Sequence, residues 1–482
     1  MGKLATLLFA CATLAVSSAY SSLPAMGPAP TPAADQARMA PQTIGAIPAL
    51  PLGAQITPPT TIPVAPNARY TIPAPPPDQA QPTALACATA QRHFNNNLYT
   101  LFAERQGNVF YSGYSLHTAL LMATHGARGA TRRELQQAVL GTWDLADVKL
   151  QGAFRDLSGE VAAPGFTYTF TEVNRMWVDP TIKVLPAYTA DVDVMWGAGT
   201  QGVDFKQGKA TAAIINTWVE NNTANKITKL VSEQDFEGVK MILTNAVYFK
   251  GKWEYPFKAG STRPQDFTAP DGVIKIPMMY LKAEDLRYGE IVTAGTTPAT
   301  SAPADRATPD VAGTPGILAG TKIIELDYTD DKITMRIALP PKGVKLEALS
   351  AQQLDLITTQ ALSENPVAVS LPKFKVEDSL DLTTQLEALG IKLAFGPHAD
   401  FSGINGNTDL YISKVLQKAS VEVNEEGTEA AAATAVSMST KSSSPAEPKL
   451  KFFRADRPYL LQIIHRPTGA VLFTGRIVKP GV

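Results

Sequence analysis

Only two cysteines, Cys11 and Cys87, occur in the 482 residues of this chain. That excludes a disulfide scaffold and any zinc or iron–sulfur site built on paired thiolates. An excess of charge of either sign is also missing: 43 Lys+Arg stand against 44 Asp+Glu, a formal net charge of −1. No electrostatic case follows for a nucleic-acid or anionic-membrane partner. After the N-terminus no run of about 18 apolar residues occurs, so no internal membrane span is expected. The five histidines (His93, His117, His125, His398 and His465) have no ligand spacing, and no metal or other cofactor is expected. G-x-S-x-G, H-E-x-x-H, G-x-x-x-x-G-K and G-x-G-x-x-G are all absent. An exported hydrolase is the remaining enzyme reading, and no nucleophile–base constellation supports it, so the chain is not expected to be an enzyme.

What is present is enough apolar residue, 45% against 18% charged, to build and solubilise a large core. Lys3, the apolar run Leu4–Val16 and the small residues Ser17-Ser18-Ala19 read as a signal peptide over 1–19, implying a secreted or extracytoplasmic protein. In that setting Cys87 is the one cysteine left, and it is expected to behave as a small buried hydrophobe. Residues 20–85 are rich in Pro, Ala and Thr, with runs such as Pro75-Pro76-Pro77 that favour extended polyproline and cannot pack a core; they read as a spacer. Residues 293–314 have the same character and read as a loop insertion in the folded part.

The folded part, 86–482, opens on helical spacing over Gln91–Arg105, Ser115–His125, Arg132–Leu140 and Ala210–Asn222. The third helix is expected to open on a capping box, Thr131 with Glu134 three residues on. Strand-like runs then dominate: Lys240–Phe249, Lys322–Leu326, Ile333–Leu339, Val367–Leu371, Tyr459–His465 and Ala470–Ile477. Helices early and strands late, with no repeating βα unit, predict an α+β fold with largely antiparallel sheets.

One segment stands apart. Glu425-Glu426-Gly427-Thr428-Glu429 leads into Ala430-Ala431-Ala432-Ala433-Thr434, and the chain then runs through Lys441 and Ser442 to Pro448. Read at period two, Thr428, Ala430, Ala432, Thr434, Val436, Met438 and Thr440 form one charge-free parity. The other parity is small and polar, with Glu429 and Lys441 at its ends. Such a strand could bury the first face and leave the second in water, and Gly427 offers a backbone hinge before it. Composition alone equally allows an Ala-rich helix or a linker.

The order of these features resembles the serpin family. The resemblance runs through Asn108-Val109-Phe110, Gly126-Ala127-Arg128-Gly129-Ala130-Thr131 and Ile215-Asn216-Thr217-Trp218-Val219-Glu220. It continues in Asn245-Ala246-Val247-Tyr248-Phe249-Lys250-Gly251-Lys252-Trp253, Leu371-Pro372-Lys373-Phe374 and Ala455-Asp456-Arg457-Pro458-Tyr459. The resemblance implies a serpin fold, with an N-terminal helical region, large mixed or antiparallel sheets and an exposed reactive-centre loop over 425–448. It implies a suicide-substrate inhibitor: a serine (sometimes cysteine) protease attacks the loop, and the cleaved loop enters the main sheet as a new strand. Counting fourteen residues on from Gly427 puts the reactive bond at Lys441–Ser442 and implies a trypsin-like target and a monomeric inhibitor. The hinge implied is Glu425, Glu426, Gly427, Thr428, Glu429, Ala430, Ala431, Ala432, Ala433 and Thr434, and the sheet-opening region Ser112, Ser115, Asn245 and Gln417. Gly113 stands where the family usually has proline, and Gln417 where many members have histidine. Arg128, Arg132 and Arg133 are too few for a polyanion-binding helix. The alternative within the family is a non-inhibitory carrier, storage protein or chaperone, whose hinge is typically charged or bulky.

Overall fold

The computed structural model describes residues 83–141, 148–162, 166–292, 316–428 and 449–481. The expected signal peptide, almost all of the expected spacer, the expected insertion over 293–314, and residues 429–448 with Lys441 and Ser442 lie outside the described residues.

The helices are α1 (Ala84–Thr100), α2 (Gly113–Gly126), α3 (Gly129–Val139), α4 (Val148–Val161), α5 (Pro186–Trp196), α6 (Gly208–Asn222), α7 (Ala351–Thr359), α8 (Thr383–Ala388) and α9 (Ser402–Asn405). Strands before residue 300 are β1 (Val109–Tyr111), β2 (Thr169–Val178), β3 (Gly199–Gly202), β4 (Met241–Lys252), β5 (Arg263–Ala269) and β6 (Gly272–Glu290). Then come β7 (Lys322–Asp327), β8 (Ile333–Leu339), β9 (Ser363–Pro372), β10 (Phe374–Asp381), β11 (Lys414–Val423), β12 (Gly427–Thr428), β13 (Lys451–Arg454), β14 (Tyr459–His465) and β15 (Ala470–Ile477). This is the α+β fold expected, and six of the strands overlie the runs read from the sequence. Most pairings are antiparallel; β2–β3, β4–β11 and β9–β13 are parallel.

The helix ends needed correction. α1 begins at Ala84, with the Thr83 hydroxyl accepting from Ala86 N at 3.2 Å, seven residues before the apolar spacing becomes visible. α3 does not open on a Thr131/Glu134 capping box. It begins at Gly129 after Arg128, and tertiary partners claim both side chains. Thr131 Oγ1 accepts from Asp400 N at 2.9 Å, and Glu134 Oε2 accepts from Lys392 N and Leu393 N at 2.7 Å each.

Two sheets carry the fold: a nine-stranded one (β1-β15-β14-β8-β7-β6-β9-β13, with β5 on β6) and a six-stranded one (β10-β11-β12-β4-β2-β3). Strand β4 lies inside the six-stranded sheet, and both its faces are covered. Met241, Leu243, Val247 and Phe249 join the main core with α1, α2 and α4, while Ile242 and Ala246 pack with Ile215 and Val219 of α6 on the other side. Cover on both faces is why this stretch reads as a nearly unbroken apolar run. Cys87 is buried in α1, and burial, with Asp156 adding to it, pushes its thiol up to about 12. Three of the scattered histidines (His93, His117, His465) are buried and have their pKa lowered to about 4, chiefly by burial; they are core residues.

Candidate functional site: the hinge and the seam

Strands β4 and β11 meet in a parallel seam, Ile242–Tyr248 against Lys414–Ser420. Above it the two residues of β12 are wedged between them. Gly427 and Thr428 pair antiparallel with Lys252 and Gly251, and Thr428 also pairs with Val423 of β11. The expected hinge is therefore already a strand at its third and fourth residues, Gly427 and Thr428. Gly427 is required by close approach as well as by its φ of +157°: a Cβ there would lie 2.1 Å from Gly251 O and 2.8 Å from Lys252 Cα.

The chain entering the wedge is tied down at every residue. Asn424 Oδ1 accepts from Glu426 N and Gly427 N at 3.0 and 3.2 Å, and Trp253 Nε1 donates to Asn424 O at 3.0 Å. Phe257 N and Trp253 N donate to the carbonyls of Glu425 and Glu426. The Glu425 carboxylate accepts from Lys373 Nζ at 3.0 Å and Thr262 Oγ1 at 2.8 Å. Partial burial alone would push this carboxyl up; its hydrogen bonds, led by the one from Lys373, outweigh burial and hold it below the ordinary range. Thr428 is buried, its hydroxyl 2.7 Å from Tyr328 OH, and the Tyr328 ring stacks on Trp253 at 4.5 Å.

Midway down the seam sits a buried polar cluster. Gln417 Oε1 accepts from Ser112 N at 2.9 Å, and its Nε2 donates to Ser112 O at 2.9 Å and to Asn245 Oδ1 at 2.5 Å. Asn245 Nδ2 donates to Ser115 Oγ and, at 2.5 Å, to Asn174 Oδ1; Asn174 in turn donates to Glu172 Oε1 at 2.7 Å. Burial pushes the Glu172 carboxyl up to about 7, against hydrogen bonds from Asn174, Thr118 and Ser115. Every amide in this chain is oriented by the next, so the seam is latched across by one directional relay.

Comparison with known proteins settles the family. The serpin (serine protease inhibitor) family profile matches residues 89–298 and 316–480. An uncharacterized serpin-like protein of Thermococcus kodakarensis is 36% identical over 392 residues, covering 80% of this chain and 84% of its own. Leukocyte elastase inhibitor of Bos taurus is 30% identical over 407 residues, covering 82% and 99%. The crystal structure of Serpin48 of Tenebrio molitor superposes with a TM-score of 0.69 at 29% identity, covering 84% of this chain and all of that one. The chain belongs to the serpin family.

In this serpin the four expected sheet-opening residues, Ser112, Ser115, Asn245 and Gln417, come together in one cluster. Sequence reasoning did not include Asn174 or Glu172, which extend that cluster along β2. Nor did it single out Lys373, Thr262, Tyr328 and Trp253 as the hinge anchors, although Lys373 and Trp253 lie inside the strings that carried the resemblance. The glycine at 113, in place of proline, has a local reason: a Cβ there would fall 2.3 Å from Asn95 Oδ1. Of the expected hinge, Glu425 and Glu426 lead into β12 and Gly427 and Thr428 form it; Glu429 to Thr434 lie outside the described residues. Among the described residues no helix is long and apolar enough to cross a membrane.

The Glu425 anchor gives a direct expectation. Glu425→Lys sets two ammonium groups against each other and removes two hydrogen bonds to a carboxylate. Lys373 is 41% exposed, so screening limits the cost to about 2 kcal/mol, or about 2 °C in Tm. Scanning fluorimetry checks this. Glu425→Gln should lose about half as much, and an unchanged midpoint for both would remove the anchor from the account.

Proposed function

We propose that this serpin is an exported inhibitor of trypsin-like serine proteases, cut at Lys441–Ser442 and trapping the enzyme by inserting its loop between β4 and β11. The observation that supports it is the wedge. Extending the Gly427–Lys252 register downward sets Ala430 opposite Phe249, Ala432 opposite Val247, Thr434 opposite Asn245 and Val436 opposite Leu243. Cross-strand partners share a face, and Phe249, Val247 and Leu243 line the main core. The charge-free parity thus meets the core, and Thr434 arrives where the Asn245 amide, parted from Gln417, needs a new hydrogen-bond partner. The other parity is more enclosed than a solvent face: Ala433 and Ser437 fall opposite Ala246 and Ile242, beneath α6. Small side chains are therefore needed on both faces. Glu429, the one acid of the strip, falls opposite the exposed Lys250.

A carrier would not need this match, and nothing charged or bulky interrupts Ala430–Thr440. Lys441 is isolated in an otherwise uncharged stretch and suits a specificity pocket that ends in a carboxylate. The apolar run Leu4–Val16 supports export. The test is to mix the protein with trypsin. An SDS-resistant complex should form, and the released C-terminal peptide should begin at Ser442. Trypsin recovered fully active with no complex would sink the reading, and a different first residue would move the bond.

A further inference from the structure

We infer that the outer face of the sheet just beyond the loop is a second contact for the attacking protease, one that favours enzymes with an acidic surface beside their cleft. This rests on the reading of Lys441–Ser442 as the bond attacked. Strand β13 begins at Lys451, directly after the loop, and lies at the edge of the nine-stranded sheet, parallel to β9 alone. Cross-strand register puts Phe452, Ala368 and Lys282 in one row and Arg454, Ser370 and Tyr280 in the next, so these side chains share a face. On that face Phe452 is 64% exposed and Tyr280 41%, with Arg454 and Lys282 exposed beside them. Lys449 and Lys451 add two more exposed cations, and among the described residues neither has an ion-pair partner. The acids paired with these cations are Glu284, 3.4 Å from Lys282, and Asp456, 3.7 Å from Arg454 and shared with Arg457; Glu447 precedes Lys449 in sequence, so five cations (Lys282, Lys449, Lys451, Arg454, Arg457) stand against three acids.

Lysines on an edge strand also guard against unwanted strand pairing. That role accounts for Lys449 and Lys451, but it does not account for two aromatic side chains left in water on the sheet face, between cations. Aromatics flanked by arginine and lysine are what a protein-binding face uses as anchors. The occupant follows from chain length. Seven residues separate Ser442 from Lys449, a reach of at most about 25 Å. An enzyme domain of about 200 residues has a radius of gyration of about 16 Å, hence a diameter near 40 Å. The cleft of a protease closed on Lys441–Ser442 therefore stays within about 25 Å of Lys449, less than the enzyme's own width, so the surface beside that cleft is the part brought to this face. An acidic surface is drawn in, and a basic one is repelled.

The experiment compares anionic and cationic trypsin, which cut at the same residues but carry opposite net charge. Second-order inhibition rates should favour the anionic form by about tenfold at low salt, with the preference shrinking as ionic strength rises. The double variant Lys451→Glu/Arg454→Glu should remove or invert the preference while SDS-resistant complexes still form. Phe452→Ser should slow both enzymes alike. The salt series on the unmodified protein reads the effect without relying on any variant. Complexes forming at equal, salt-insensitive rates with the two trypsins would overturn the second contact and leave the loop mechanism standing. No complex with either enzyme would overturn both.

Discussion

Cleavage at Lys441–Ser442 is expected to raise the midpoint of thermal unfolding by about 12 °C. In the uncut chain the seam below the wedge is closed by β4 and β11 themselves, and among the described residues the strip contributes Gly427 and Thr428 to the pairing. Once cut, about ten further residues can gain ladder hydrogen bonds on both sides, at about 1 kcal/mol net each, before any burial of Val436 and Met438. A gain of about 10 kcal/mol corresponds to about 12 °C in a folded part of about 400 residues, whose unfolding entropy is about 0.8 kcal/mol/K. The uncut fold is then a kinetically held state whose more stable form is blocked by connectivity. Differential scanning calorimetry before and after limited proteolysis reads the shift. An unchanged midpoint, with the strip cut, would mean that it stays outside, as a carrier's would.

The second large effect is Ala432→Arg, which should convert the protein from an inhibitor into a substrate. In the extended register Ala432 faces Val247, which is fully buried in the main core. A guanidinium entering there leaves water for a site with no acid opposite, at a cost of several kcal/mol. If about 3 kcal/mol of that falls in the insertion step, insertion slows by about 150-fold, and deacylation wins the race. Titration with trypsin should show the inhibitor cleaved in large excess without lasting complex. Glu429→Arg, on the other parity opposite the exposed Lys250, should retain far more trapping. Equal trapping by both variants would refute the assignment of faces.

The fold was most legible where burial is two-sided or strictly one-sided along a continuous segment. Strand β4 is the clearest case, because its apolar run needs no knowledge of its partners. Strand β10 also alternates perfectly between buried and exposed, but Asp378 occupies a buried position and breaks the apolar signal. Its carboxylate is satisfied there by Arg105 and by Phe110 N. The long β6 hides for another reason: it changes partners along its 19 residues, from β5 and β9 to β7, so no single face stays buried. At the site, the hinge residues were readable as a string, whereas their anchors were not. Lys373, Tyr328 and Thr262 reach Glu425 and Thr428 from 52, 100 and 163 residues away in sequence. Local pattern holds no record of such contacts. The α3 cap failed similarly, since Thr131 and Glu134 have the right spacing for each other but better partners more than 250 residues on.

If the seam between β4 and β11 parts as proposed, it offers unpaired backbone on both sides, and main-chain pairing does not test whose strand fills it. Gly427 and Thr428 hold the entrance with two residues. Whatever loosens them offers the vacancy to a neighbouring copy's strip, while that first copy's own strip is left to seek a third. Because donor and acceptor surfaces differ, such a handover does not close on itself. Protein concentration, rather than heat alone, is then expected to set how long a stock of this serpin stays singly folded.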